Sequence, residues 1–220
     1  MLVKSFGCSF IFGTDLPDQI STRPSQLTWP AVLSQRPGNY YRCHAQGGSG
    51  NLAIADRVLE EIVQDVTALF IISWTWIDRF DYVDENQIWN TIRPGSTSDL
   101  AKIYYQDLHS ETRDKLASLM TIRTVIDSLR ERNFPFIMTY MDELLFDRTY
   151  HTTPAITSLQ DYVRPYMTQF EGQTFLNWSR DHGYPESANW HPLEQAHAAA
   201  AEVMRQAFDK QNTNDRWHHV

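Results

Sequence analysis

Two side chains in this sequence are of the types that together perform nucleophilic chemistry, and each stands where the chain would present it. Ser9 lies in Gly7-Cys8-Ser9-Phe10, directly after a short β-prone run. A small residue there lets the chain turn and offer a hydroxyl at the edge of a sheet. A serine hydroxyl is a weak nucleophile until a base takes its proton. His191, in Asn189-Trp190-His191-Pro192, is the best-placed base, because it precedes a helix that can return it to the sheet edge. The oxyanion formed by attack on an acyl carbon then needs donors. The backbone amides of Ser9 and Gly48 are two candidates and the side chain of Thr75 or Asn51 a third, each worth roughly 3–4 kcal/mol in acyl transfer.

Those residues need a scaffold that brings distant segments to one edge, and the hydrophobic pattern supplies it. Leu2-Val3-Lys4-Ser5-Phe6 reads as a strand ending at Gly7, and Tyr40-Tyr41-Arg42-Cys43-His44 as a second strand bracketed by Pro37-Gly38-Asn39 and Gln46-Gly47-Gly48-Ser49-Gly50. From Asn51 to Val63, Leu52, Ala55, Val58, Leu59 and Ile62 fall at spacings of three and four, which predicts a helix packed on a sheet. Thr67-Ala68-Leu69-Phe70-Ile71-Ile72 is nearly continuous in apolar side chains, as in a strand covered on both faces. After a long excursion, a helix containing Leu116, Leu119, Met120, Val125, Ile126 and Leu129 ends near Asn133, and Phe134 to Tyr140 reads as a fourth strand. A last helix runs from Pro192 to about Lys210, with His197 expected on its surface or at an interface. The segment from Tyr140 to Trp190 stays open, Thr174 to Trp178 fitting either a fifth strand or a short helix. Alternating strands and helices predict a single α/β domain over residues 1–220. Its expected form is a three-layer α/β/α sandwich with a mostly parallel, flavodoxin-like sheet, whose strand ends carry the candidate site.

The blocks Gly7-Cys8-Ser9-Phe10, Gly47-Gly48-Ser49-Gly50-Asn51, Ile72-Ser73-Trp74-Thr75 and Asn189-Trp190-His191-Pro192, in this order and on these strand ends, resemble those of the SGNH or GDSL-like hydrolases. The resemblance implies an esterase with Ser9 as nucleophile and His191 as base. Three positions depart from the family's pattern. Cys8 replaces the usual Asp, Thr75 stands near the place of the oxyanion Asn, and Asn189 occupies the position of the triad acid. An amide cannot offset imidazolium charge as a carboxylate does, so the expected partner of His191 is Asn189, Asp181 or a backbone carbonyl.

Trp74, Trp76, Trp89 and Trp190 crowd this site and suggest a platform for sugar rings, with Arg79 available to a carboxylate or phosphate. The expected substrate is a small acyl ester, of the O-acetylated carbohydrate kind that many enzymes of this family accept. Two rival readings use the same residues: a degenerate binding module that holds a glycan or protein partner, and an acyltransferase that delivers the acyl group to a sugar hydroxyl. The plain alternative for Ser9 is a turn serine capping the next segment. Cys8 as nucleophile is disfavoured, because adjacent side chains on a turn point different ways.

Composition narrows the field further. The chain has 220 residues, 42% hydrophobic and 21% charged, so it can build a core and is not disordered. A net charge of −8 without a Lys/Arg cluster argues against nucleic acid or an anionic membrane as partner. Apolar stretches such as Ala68 to Ile72 fall far short of the ~20 residues that span a bilayer. Gly47-Gly48-Ser49-Gly50 is no dinucleotide fingerprint, and no H-E-x-x-H or C-x-x-C is present, so neither a cofactor nor a metal is expected. Asp78, Asp81 and Asp84 lack the spacing of a calcium loop and are expected to be solvated. The residues leading to Gly13 lack a cleavage-site pattern, and two cysteines make no disulfide framework, so a cytoplasmic protein is expected. Oligomeric state is not encoded in any feature of the sequence.

Overall fold

Apolar continuity dictates the centre of the molecule. Leu69 to Trp74 is buried at every position. Strand pleating sends Phe70, Ile72 and Trp74 to one face of the sheet and Leu69 and Ile71 to the other. The structure, a computed structural model, describes residues 1–213; residues 214–220 of the expected domain lie outside the described residues. Its strands are β1 (Leu2–Phe6), β2 (Tyr40–Cys43), β3 (Leu69–Trp74), β4 (Phe80–Val83), β5 (Trp89–Ile92) and β6 (Phe136–Tyr140). Its helices are α1 (Ser9–Phe12), α2 (Trp29–Ser34), α3 (Asn51–Val63), α4 (Asp99–Ile103), α5 (Glu111–Glu131), α6 (Pro154–Val163), α7 (Phe175–Asp181) and α8 (Glu194–Thr213).

The sheet runs β2-β1-β3-β6 and all of its pairings are parallel. Ile54 and Val58 of α3, Ile122 and Val125 of α5, and Ile156 of α6 pack on one face. Trp29 of α2, Phe175 and Trp178 of α7, and Ala196 and Ala200 of α8 pack on the other. The fold is therefore a three-layer α/β/α sandwich with a mostly parallel sheet. From β1 the chain builds outward to β2, then crosses back to lay β3 on the other side of β1. The connections therefore diverge above the carboxyl ends of β1 and β3, which is where open α/β sheets form their crevice.

One segment left open by the sequence is settled, and another holds elements its pattern did not suggest. Thr174 to Trp178 is helical: the Thr174 hydroxyl accepts from the Asn177 amide and caps α7. The excursion after β3 holds an unforeseen antiparallel hairpin of β4 and β5, closed by the Asp84 carboxylate accepting from the amides of Asn86 and Ile88. With α4 and a π-helical turn at Tyr104–Leu108, the hairpin forms a small lobe around Ile92, Ala101 and Tyr104. Among the described residues no helix is long and apolar enough to cross a membrane.

Candidate active site

Tight packing after β1 sets the position of Ser9. A Cβ on Gly7 would lie 2.6 Å from Cγ1 of Ile11, so only glycine lets α1 fold back this closely. Cys8 is buried, with its thiol 3.6 Å from the Met141 sulfur, and points away from solvent. Ser9 opens α1, where its amide has no intrahelical acceptor. Its Oγ lies 3.0 Å from Nε2 of His191.

The other imidazole nitrogen meets an acid absent from the sequence-based expectation. Gly13 ends α1 at φ +79°, and its backbone is so crowded that a Cβ would lie 2.4 Å from Ser25. The turn continues through Asp15, itself at φ 71°, and brings its carboxylate to 2.7 Å from Nδ1 of His191. A carboxylate can only accept, so Nδ1 carries the proton and Nε2 is the lone-pair nitrogen facing Ser9. Asp15 Oδ2 also accepts from the Ser187 hydroxyl at 2.7 Å and from Nδ2 of Asn189 at 3.1 Å. The hydrogen bond from His191, then that from Ser187, holds the Asp15 carboxyl below the ordinary carboxylate range, against the opposing effect of partial burial. Asn189 therefore braces the acid and does not itself pair with His191. Asp181 sits at the end of α7, where it accepts from Gln173. The loop's own hydrogen bonding dictates this outcome: Ser187 Oγ takes the amides of Asn189 and His191, which turns the Asn189 side chain toward Asp15.

Beneath this loop lies His197, which is 1% exposed and thus not the surface residue its helical phase suggested. Its Nδ1 accepts from the Trp29 amide at 3.1 Å, and its ring packs on Phe175. Burial, with a smaller contribution from the neighbouring His191, pushes its pKa down from 6.5 to about 3. Between those values the unfolded chain binds a proton that the native state refuses, so stability rises with pH across that window. Wild type is expected to lose up to about 1.4 kcal/mol per pH unit from this group as pH falls below 6.5. Urea midpoints measured from pH 7 down to pH 4 should show a shallower dependence in His197→Gln; an unchanged slope would contradict the burial of a neutral ring.

The glycine-rich loop and the end of β3 are held by polar clamps. Asn51 Oδ1 accepts from the Thr75 amide at 2.8 Å, while Nδ2 donates to the Thr75 carbonyl and to Ser118 Oγ. Both amide hydrogens are thereby occupied, so Asn51 positions the chain and has no hydrogen left for an oxyanion. Thr75 is fully buried, and its hydroxyl has no partner among the described residues. Gly48, at φ +83°, sits under Arg93: a Cβ there would lie 3.3 Å from a guanidinium nitrogen. Asp81 is buried too, not solvated. Its carboxylate takes the amides of Gly50 and Ala53 at 3.0 Å each and caps the amino end of α3.

The candidate aromatic platform divides. Trp74 is 0% exposed and belongs to the core beside Phe70 and Ile72, because strand alternation turns it inward. Trp89 donates from Nε1 to Asp56. Trp76, past the end of β3, and Trp190, 65% exposed at φ 65°, line a cavity of about 750 Å³ with Ser9 and His191. Arg79 lies 4.7 Å over the Trp76 ring and donates to the Ser49 carbonyl. Arg93 and Arg180, which residue type alone did not single out, line the same cavity. Among the described residues no cluster of three or more His, Cys, Asp or Glu could hold a metal ion.

No family model and no curated protein matches the sequence. The structure is similar to that of a member of the lipolytic protein G-D-S-L family from Veillonella parvula, at 13% identity and TM-score 0.56, covering 96% of this chain and 99% of that one. It is also similar to a psychrotrophic esterase from a Pseudoalteromonas species, at 7% identity and TM-score 0.54, covering 96% and 98%. A carbohydrate esterase family 2 enzyme from Corynascus thermopiles, which carries a carbohydrate binding domain, matches at 13% identity and TM-score 0.54, covering 96% of this chain and 66% of that one. The fold is that of the SGNH or GDSL-like hydrolases.

Proposed function

We propose that this protein is a serine hydrolase of acyl esters in which Ser9, His191 and Asp15 act as nucleophile, base and orienting acid. The observation that carries the reading is the hydrogen-bonded chain from Ser9 Oγ to His191 to the Asp15 carboxylate, at 3.0 and 2.7 Å. His191 Nε2 takes the Ser9 proton as Oγ bonds to the acyl carbon, and Asp15 offsets the imidazolium charge. The amides of Ser9 and Gly48 stabilise the tetrahedral oxyanion. Its collapse breaks the ester C–O bond, and the alcohol leaves with the proton from His191. Water then repeats the sequence on the acyl-enzyme, releasing the acid and restoring Ser9. Trp76 and Trp190 flank the site as aromatic faces suited to a pyranose, so an O-acylated saccharide is the preferred alcohol class. The carbohydrate esterase among the similar structures is consistent with that choice. Two unpaired cysteines, Cys8 and Cys43, fit a reducing compartment, hence a cytoplasmic location. Transfer to a sugar hydroxyl would use the same residues and would yield product only when an acceptor is added.

The test is labelling by a fluorophosphonate, read by intact mass and peptide mapping. A single adduct on Ser9, absent in Ser9→Ala and His191→Ala, is expected. A folded wild type that takes no adduct, or equal labelling of His191→Ala, would overturn the hydrolase reading.

A further inference from the structure

The electrostatics of the cavity run against those of the chain. Acidic residues outnumber basic ones 27 to 19 overall, yet the residues lining the cavity beside Ser9 include Arg79, Arg93 and Arg180 and no aspartate or glutamate. Two of the three guanidinium groups are held in place. Arg79 is stacked on Trp76 and tied to the Ser49 carbonyl, while Arg180 makes two hydrogen bonds to Glu186 and lies 5.5 Å over Trp190. Arg93, which follows β5 on the lobe inserted after β3, has no ion-pair partner among the described residues and is exposed.

A second cleft of about 520 Å³ shares Trp76, Arg79 and Arg93 with the first, so the two arginines stand between a catalytic and an outer compartment. The outer cleft contains one carboxyl group, that of Asp78, whose pKa burial and the nearby Asp142 push up. Asp15 and Glu186 are engaged with His191 and Arg180. Leaving a guanidinium unpaired beside a cavity suits an anionic ligand, since its planar donors match a carboxylate or sulfate.

Resting on the esterase reading above, we propose that the substrate is an acyl ester of an anionic saccharide, whose carboxylate or sulfate is received by Arg93 and Arg79 while its ring lies against Trp76. Rigid stacking of Arg79 and the free Arg93 form a fork on one side of the sugar, and Ser9 lies on the other.

The experiment compares matched pairs that differ only in charge. One pair is an O-acetylated methyl galacturonate and its carboxamide; the other is an O-acetylated galactoside with and without a sulfate. At low ionic strength kcat/KM for at least one charged member is expected to exceed that of its neutral partner by tenfold or more. That advantage should shrink as salt is raised and collapse in Arg93→Gln. The pair showing the preference identifies which anion is read. Equal kcat/KM within both pairs would overturn the proposal. Binding to Ser9→Ala of the unacetylated charged and neutral sugars, followed by tryptophan fluorescence, separates this idea from the one beneath it. Charge-selective binding without turnover of any ester would sink the esterase reading and leave the anion site standing. Ester turnover with neither charge preference nor charge-selective binding would do the reverse.

Discussion

Asp15→Asn is expected to lower kcat by about 10⁴-fold, the loss seen when a triad carboxylate elsewhere becomes an amide. The substitution preserves shape, but the amide can offer its NH₂ group to His191 and favour the tautomer with the proton on Nε2, facing Ser9. It also removes the charge that stabilises the imidazolium. Because Asn189 Nδ2 lies 3.1 Å from the Asp15 carboxylate, the double variant Asp15→Asn, Asn189→Asp returns a carboxylate to the neighbourhood of His191 and should recover part of the lost turnover. Asn189→Asp alone places two carboxylates together, and their repulsion should raise the acid limb of the pH–rate profile. A kcat for Asp15→Asn within tenfold of wild type would remove Asp15 from the mechanism and return attention to the histidine loop.

Ser9→Ala and His191→Ala should each cost about 10⁶-fold in kcat, and the double variant little more, because the two residues act as one unit. The Ser9–His191 hydrogen bond at 3.0 Å is the geometric basis of that coupling. A residual rate above water is expected from the amides of Ser9 and Gly48, which neither substitution removes. Rates measured on one ester for all three variants test this directly. Multiplicative losses in the double variant would mean that His191 serves a step unrelated to Ser9.

Much of the architecture was legible in the sequence, and the reasons are local. The apolar run ending at Ile72 is a buried strand because nothing polar interrupts it, and the three-four spacing from Asn51 to Val63 is helical because Ala55, Val58 and Ile62 share one buried face, although Leu52, read with them, is 49% exposed. Ser9 and His191 were legible because each lies beside a structural marker, the Gly7 turn and the Pro192 start of the last helix. The β4–β5 hairpin was not, since its strands are four residues each and half-exposed, and so carry little pattern.

Residue type and spacing thus determined the fold class and singled out Ser9 and His191, which the structure brings to 3.0 Å, as the candidate pair. Tertiary structure alone decided which acid completes the chain, because Asp15 and His191 are 176 residues apart and meet only through the left-handed turn at Gly13 and Asp15 and the Ser187 loop. It also decided that Trp74 faces the core, that Asn51 is a clamp, and that Arg93 joins the cavity. In each case a side chain's role depends on which way a strand end or turn points it in space, and that direction is set by packing between segments far apart in the chain.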